Sequence, residues 1–353
     1  MTEAKYIIGS DKVVLITGAT GYIGLKVVKT LLDLGFRRIR CFARPSGKHS
    51  ALLHLAESYK GAPVEIVTGN LLSRADCLAA AESAEVIYHL AAGTGQKSFA
   101  DAYMNSVVTT RNLLEASAKQ GCLKRFVNIS SFAVYSNTQD NGGRLLDENS
   151  TIEERPELRG EAYCFAKVKQ EQFVREYCST FGMPYVIVRP GAVYGPGKTY
   201  LTDRVGIDTF GIFLHIGGSN TIPLTYIDNC AEAIAFAGLR EGIDGEVFNV
   251  VDDDLPSSRQ FLRLYKKHVR RFRSLYVPHF LSYWLCYLWE KYSETSHGQL
   301  PPAFNRRRWN AYWRKTDYCN KKLKTRVGWT PKVPTTEGLM RYFAGCRSAQ
   351  TNA

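Results

Sequence analysis

Val13-Val14-Leu15-Ile16-Thr17-Gly18-Ala19-Thr20-Gly21-Tyr22-Ile23-Gly24 decides the fold of this chain. An apolar run of strand type stops at a glycine-rich turn, and an amphipathic helix starts, with Ile23, Val27, Leu31 and Leu34 on one face. Gly18, Gly21 and Gly24 follow the spacing G-x-x-G-x-x-G. The first lets the turn be tight, the second lets backbone approach a ligand, and the third lets the helix lie close on the strand. The helix N-terminus then offers N–H groups and a partial positive charge to a pyrophosphate. A plain strand–helix corner also calls for small residues. The preceding strand and the following helix are what favour a dinucleotide.

Working outward, Gly35 ends the helix and Ile39-Arg40-Cys41-Phe42-Ala43 reads as a second strand. An acid at that strand's end would bind a ribose 2′-hydroxyl; here stands Ala43-Arg44. An arginine suits a 2′-phosphate, with Lys48 to assist, so NADP is the expected cofactor and NAD the alternative. A solvated loop arginine is the other reading of Arg44. Strand and helix keep alternating: strand Val64 to Val67, helix Ser73 to Ala81, then Val86-Ile87-Tyr88-His89-Leu90-Ala91-Ala92-Gly93, a buried strand running into small residues. Small side chains there leave room for a flat ligand. Asn70 is placed to meet an adenine edge, and His89 reads as a satisfied interior histidine. A single long helix is expected from Tyr103 to Gln120, then the strand Arg125 to Ile129. The alternation predicts an α/β doubly wound parallel sheet with right-handed crossovers.

A chain of 353 residues can bury a large core without staples. Its nine cysteines are scattered, with no C-x-x-C pair, as in reduced structural thiols of a cytoplasmic protein. Met1 to Asp11 mixes charges with few apolar residues and does not read as a secretory signal. No metal-ligand spacing stands out, and no metal is expected.

The chemistry is carried by two features. The fifth strand runs into Ser130-Ser131-Phe132-Ala133-Val134-Tyr135, and a later helix carries Tyr163-Cys164-Phe165-Ala166-Lys167 between Glu161 and Glu171. Four residues apart, Tyr163 and Lys167 share a helix face. An ammonium near a phenol favours the phenolate; bringing a tyrosine from about 10 toward 7 takes roughly 4 kcal/mol. A lysine and a cationic nicotinamide in a partly dry cleft supply that order of energy. The tuned phenol then passes a proton to or from an alcohol oxygen while hydride moves, and Ser131 holds the same oxygen. Tyr-x-x-x-Lys also occurs at Tyr22, Tyr194, Tyr287 and Tyr318. Only Tyr163 opens a long helix after the strand ending in Ser130-Ser131, so context selects it.

Taken together, the glycine turn, His89-Leu90-Ala91-Ala92, Asn105 and Asn112, Ser130 to Tyr135, Tyr163/Lys167, Arg189-Pro190-Gly191-Ala192-Val193-Tyr194-Gly195-Pro196-Gly197, Tyr226-Ile227-Asp228-Asn229 and Val327-Gly328-Trp329-Thr330-Pro331-Lys332 resemble the extended short-chain dehydrogenase/reductase superfamily, NAD-dependent epimerase/dehydratase type. The resemblance implies a Rossmann-type sheet with a smaller, mainly helical C-terminal substrate lobe. It makes Ser131, Tyr163 and Lys167 the catalytic triad. The cofactor contacts expected are Gly18, Thr20, Gly21, Tyr22, Ile23 and Gly24 at the turn, then Arg44, Asn70 and Leu71. Leu90, Ala91 and Ala92 follow, with Tyr163, Lys167 and Pro190 toward the nicotinamide. Residues 1–189 form the cofactor domain, to which 226–250 return. Residues 190–225 and 251–346 form the substrate lobe, and 347–353 a tail. Asp228 and Asn229 are expected to cap a helix from Ala231 to Leu239.

Departures from the family pattern narrow the substrate. Sugar-nucleotide epimerases usually carry an asparagine at Ala192 and an arginine near Ile222, and dehydratases an Asp-Glu where Phe132-Ala133 follow Ser131. Burying a diphosphate without partners is costly. The form Arg189 to Gly197 looks more like the 3β-hydroxysteroid dehydrogenase and dihydroflavonol reductase branch. The expected activity is interconversion of a secondary alcohol and a ketone on an apolar or partly apolar substrate. A nucleotide-sugar epimerase/dehydratase is the alternative, and a non-catalytic dinucleotide-sensing protein a third reading.

The net charge of +13 is concentrated late in the chain: residues 263–332 hold 17 Lys/Arg against three acids, and all five tryptophans. Nucleic acid is not the expected partner, because the rest reads as an enzyme. The apolar run His279 to Trp289, of 11 residues, is far shorter than the ~20 of a membrane span. It reads as a core helix, a lid, or a peripheral membrane contact with Arg270, Arg271, Arg273 and Arg306-Arg307-Arg308 toward anionic headgroups. A homodimer is compatible with all three.

Overall fold

The computed structural model describes residues 6–46, 49–59, 64–93, 98–138, 145–199, 201–209, 211–296, 299–301 and 304–351; Lys48 lies outside them. Seven parallel strands form the main sheet: β1 (Val13–Thr17), β2 (Arg38–Ala43), β3 (Val64–Thr68), β4 (Ala84–His89), β5 (Arg125–Ile129), β6 (Tyr185–Pro190) and β7 (Val247–Val250), in spatial order 7-6-5-4-1-2-3. Strands β1 and β5 are buried throughout, as strands covered by helices on both faces must be. Strand order reverses between β1 and β4, the switch point where such sheets open a crevice at their carboxyl ends.

Helix α1 (Tyr22–Asp33) follows the glycine turn and buries Val27, Val28, Leu31 and Leu32. The segment expected as one long helix is interrupted. A helical turn at Phe99–Tyr103 and α2 (Thr109–Gln120) are joined by a π-turn at Met104–Val108. The carbonyl of Ser106 there accepts the hydroxyls of Thr109 and Thr110, at 3.1 and 2.5 Å, which holds the widened turn.

Helix α3 (Ala162–Phe181) packs beside β6 and is tied to it by a buried pair. Arg189 donates through two nitrogens to the two carboxylate oxygens of Glu171, at 2.8 and 2.6 Å, and to the Tyr135 hydroxyl at 2.8 Å. The arginine beside Glu171 holds its carboxyl below the usual carboxylate range despite burial. Helix α4 (Ile227–Leu239) lies on α1, and β7 then pairs with β6.

Asp228 and Asn229 do not cap α4, because the helix starts at Ile227 and takes them into its first turn. Asn229 is buried and faces the C-terminal loop instead. Its Nδ2 donates to Asp252 and to the Val333 carbonyl, and its Oδ1 accepts from the backbone N–H groups of Lys332 and Val333. An interior amide with four partners satisfies that crossing loop better than it would a cap.

The remaining elements lie mostly beyond β6. Gly206–Thr209, Ile212–His215 and Ser274–Tyr276 form a three-stranded sheet, and Ala192–Tyr194 pairs with Leu224–Tyr226. Helices α5 (Ser258–His268), α6 (His279–Thr295) and α7 (Arg306–Trp313) pack around them. The apolar run of the sequence is thus the first two-thirds of α6. Among the described residues no helix is long and apolar enough to cross a membrane.

Candidate active site

The glycine turn is built for close approach. Gly18 has φ +72°, and a Cβ on it would lie 2.8 Å from the backbone nitrogen of Ala91 at the end of β4. A Cβ on Gly24 would lie 2.1 Å from the Gly18 carbonyl oxygen. Helix α1 starts at Gly21 with no side-chain cap and no acid in its first turn, so its N-terminal donors face the crevice electropositive. A cavity of about 460 Å³ opens there. Of the residues expected at a dinucleotide, Gly18, Thr20, Gly21, Arg44, Asn70, Leu71, Leu90, Ala91 and Ala92 line it.

Gly24 and Ile23 lie behind that wall, in the helix–strand contact. Tyr22 turns to the other side, its ring under the Lys198 ammonium and near Gly195 and Gly197. Tyr163, Lys167 and Pro190 lie outside this cavity as well. Phe42, Ala43 and Gly93 line it too, and so do Asp101, Asn105 and Thr109, which were not among the contacts expected from the sequence. Spaced four residues apart, Asp101, Asn105 and Thr109 share one helix face, and the π-turn at Met104–Val108 leaves all three on the crevice. Asn112 is occupied elsewhere, donating to the carbonyls of Leu71 and Leu72.

Ser131 and Tyr163 line a second, smaller cavity of about 190 Å³, with Phe132, Ala133, Gly191, Ala192, Arg204 and Tyr312. Ser131 sits at the end of β5 as the N-cap of a short 3-10 turn, its Oγ accepting the Ala133 N–H at 3.2 Å. Tyr163 is half-buried in the first turn of α3. One turn on, Lys167 is buried; its Nζ donates to the Ile129 carbonyl at 2.6 Å and to Gln170 Oε1 at 2.9 Å. Burial pushes the Lys167 ammonium down to about 8, with Glu171 working the other way.

Behind Lys167 runs a buried polar chain. Gln170 Nε2 donates to the Thr110 hydroxyl at 2.8 Å; that oxygen lies 2.8 Å from His89 Nε2, and His89 Nδ1 lies 2.8 Å from the Thr17 hydroxyl. Thr110 spends its own proton on the Ser106 carbonyl. His89 Nε2 must therefore carry the hydrogen, and Nδ1 accepts from Thr17. Burial first, and the Lys167 charge second, push His89 down to about 3, so it is the neutral ring this chain requires. The interior role read for His89 from its apolar neighbours agrees with this geometry.

A third cavity, of about 440 Å³, lies beyond Asp203 and Tyr312, which line both it and the Ser131/Tyr163 cavity. Phe213, Phe272 and Trp313 give it apolar walls, and Arg270 and Arg308 bring cations to it. The run Arg306-Arg307-Arg308 therefore does not present three charges outward. Arg306 is paired with Glu290 at 3.0 Å and Arg307 with Glu153 at 2.6 Å, while Arg308 turns to this cavity near Glu161. One helical turn cannot point three successive side chains one way. Arg204 and Tyr312 carried no sequence signal; the guanidinium stands 5.1 Å from the ring centre. Ile222, standing where sugar-nucleotide epimerases usually carry an arginine, is core, whereas Ala192 does line the small cavity.

Comparison with known proteins adds three findings. The model of the NAD dependent epimerase/dehydratase family matches residues 14–250. The trifunctional UDP-glucose 4,6-dehydratase/UDP-4-keto-6-deoxy-D-glucose 3,5-epimerase/UDP-4-keto-L-rhamnose-reductase of Arabidopsis thaliana is 28% identical over 251 residues, covering 68% of this chain and 37% of that protein. The 3 beta-hydroxysteroid dehydrogenase/Delta 5→4-isomerase of Mycobacterium tuberculosis is 31% identical over 192 residues, covering 52% of this chain and 48% of that one. This chain thus spans little more than a third of the length of the first relative and about half of the second. Among solved structures, dTDP-glucose 4,6-dehydratase from Streptomyces venezuelae, with NAD bound, superposes with a TM-score of 0.70 over 96% of this chain and 98% of that chain, at 18% identity, which speaks to the fold alone.

Proposed function

This chain belongs to the NAD dependent epimerase/dehydratase family, within the extended short-chain dehydrogenase/reductases, a family of enzymes; on that premise we propose that it interconverts a secondary alcohol and a ketone on a partly apolar substrate, with NADP(H). One observation carries the reading: Ser131 and Tyr163 line one cavity, a buried lysine stands one helical turn behind the tyrosine, and Phe132, Ala133, Gly191 and Ala192 give the cavity an apolar wall.

The glycine cradle and the uncapped start of α1 fit a pyrophosphate, and Arg44, exposed at the end of β2 without a carboxylate partner among the described residues, fits a 2′-phosphate. When bound, the nicotinamide supplies the acceptor or donor of hydride. The chain's own part is the proton and the geometry. Tyr163 gives or takes the proton of the substrate oxygen through its hydroxyl. Lys167, held by the Ile129 carbonyl and Gln170, keeps positive charge on the phenol's side of the cleft, which favours the phenolate. Ser131 Oγ orients the reacting oxygen.

A nucleotide-sugar epimerase is the second reading, favoured by Arg270 and Arg308 at the adjoining cavity, where a diphosphate would find cations. Denaturing the purified protein and quantifying the dinucleotide released separates the two. Little bound dinucleotide, with NADPH binding more tightly than NADH, is the expected result. Near-stoichiometric NAD(H) would instead favour the epimerase, which must keep its cofactor between half-reactions. Tyr163→Phe is expected to abolish turnover of hydrophobic secondary alcohols while dinucleotide affinity stays within about twofold. Retained turnover would overturn the role given to Tyr163.

A further inference from the structure

Helix α6 is apolar on two sides, and the described residues cover only one. Its inner face is packed: the Tyr283 ring meets Trp309 of α7 edge to face at 5.1 Å, and Trp309 Nε1 donates to Ser282 Oγ at 2.9 Å. Its outer face carries Phe280, Leu281, Trp284, Leu285, Leu288 and Tyr292, all exposed; Phe280 is 72% exposed, Tyr292 61% and Trp284 58%. At 3.6 residues per turn these six positions fall within about 140° of helix circumference. They form one continuous stripe, lengthened by exposed Leu275 and Tyr276 on the edge strand just before the helix. Lone exposed apolar residues need no explanation, whereas a contiguous stripe of this kind marks a contact surface.

Arg263, Lys267, Arg271 and Arg273 precede the stripe, exposed, and pair with no carboxylate among the described residues. We propose that this face docks on an anionic bilayer surface. The Phe, Trp and Leu side chains reach the acyl boundary, and the arginines and lysine meet headgroup phosphates. The charge decides the occupant. A second copy would use an isologous interface and bring the same exposed Arg263, Lys267, Arg271 and Arg273, while the acids of α6, Glu290 and Glu294, are already paired with Arg306 and Lys291. An anionic membrane offers apolar depth and negative charge together. Helix α6, of 17 residues, is not long and apolar enough to span, so it lies in the plane of the interface. Its inner face packs on α7, whose Tyr312 and Trp313 line the 440 Å³ cavity. The docked face is thus one helix layer from that cavity, whatever the substrate.

The test is co-sedimentation of the full chain with phosphatidylcholine vesicles, with and without about 30 mol% phosphatidylglycerol. Binding to the anionic vesicles, at least about tenfold tighter than to phosphatidylcholine alone, is expected. Trp284→Ser/Leu288→Ser and Arg271→Gln/Arg273→Gln should each weaken it about tenfold or more, with circular dichroism and dinucleotide binding unchanged. The proposal is overturned by failure of the native chain to bind, or by full binding of the Trp284→Ser/Leu288→Ser variant, which would mean charge adsorption only. It is equally overturned if soluble polyglutamate binds the native chain and the Trp284→Ser/Leu288→Ser variant alike and as tightly as the vesicles do, which would point to an acidic macromolecule. A dimer in solution that the stripe variant dissolves would assign the face to a second copy.

Discussion

Lys167 Nζ donates to the carbonyl oxygen of Ile129, 2.6 Å away, so the residue that ends β5 holds the ammonium behind Tyr163. The strand that delivers Ser131 and the helix that delivers Tyr163 are thereby fixed to each other through the lysine. Its titration reports the arrangement. In the folded chain it loses its proton near 8, against 10.5 when unfolded. Below about 8 both states are charged and the burial penalty is fully present; between about 8 and 10.5 the unfolded chain binds the extra proton, so stability rises with pH. The gap in unfolding free energy between the native chain and Lys167→Met should therefore move in favour of the native chain across that window, by up to about 1.4 kcal/mol per pH unit. Denaturant melts at a series of pH values measure it; a constant gap would remove the buried cation from the account.

His89 makes the opposite margin testable. Its folded ring titrates near 3 against an ordinary 6.5, so the stability it contributes is present above about 6.5 and is lost as pH falls toward 3. His89→Gln keeps one donor and one acceptor between Thr17 and Thr110 but never takes up a proton. The native chain should lose stability relative to this variant as pH falls through that range, up to about 1.4 kcal/mol per pH unit. Thermal melts in matched buffers read the difference, and parallel curves would mean that the ring titrates normally.

Two glycines of the turn, Gly21 and Gly24, should part company under substitution. A Cβ at Gly24 meets the Gly18 carbonyl oxygen at 2.1 Å, a backbone atom that cannot yield, whereas one at Gly21 meets the same oxygen at 3.1 Å. Gly24→Ala should lower stability by roughly 1–3 kcal/mol, as overpacking does. Gly21→Ala should fold nearly as well yet bind dinucleotide several-fold more weakly, because its methyl group stands at the start of α1 where the ligand must approach. Differential scanning calorimetry with and without NADP(H) reads both effects. An equal loss of stability in both variants would argue against separate roles.

The main sheet was legible because its strands are short, apolar and punctuated by glycine, a pattern that burial on both faces imposes. That Ser131 and Tyr163 share a cavity, with Lys167 one turn on, was legible for a different reason: spacing narrowed the choice to five tyrosines, and the strand upstream picked one. What stayed hidden depends on tertiary contact. Arg204 and Tyr312 meet across more than a hundred residues, and Arg306 to Arg308 diverge because each finds a different carboxylate. The exposure of the outer face of α6 was equally hidden, since an apolar run has the same composition whether or not the chain covers it.

Arg44 tests the cofactor preference with one change. It stands at the end of β2 on the wall of the 460 Å³ cavity, exposed, in a place where an acid would instead receive a ribose hydroxyl if a dinucleotide binds there. Asp101 lines the same cavity and accepts the Asn105 amide at 3.1 Å, and no carboxylate pairs with the Arg44 guanidinium among the described residues. A charge-assisted contact to a 2′-phosphate is worth about 1.5–3 kcal/mol. Arg44→Ala should therefore weaken NADPH about tenfold or more and leave NADH within about twofold. Fluorescence titration of both dinucleotides against both proteins decides it. Equal loss for the two would make Arg44 a general contact to the adenosine end, and no loss for either would return it to a solvated loop.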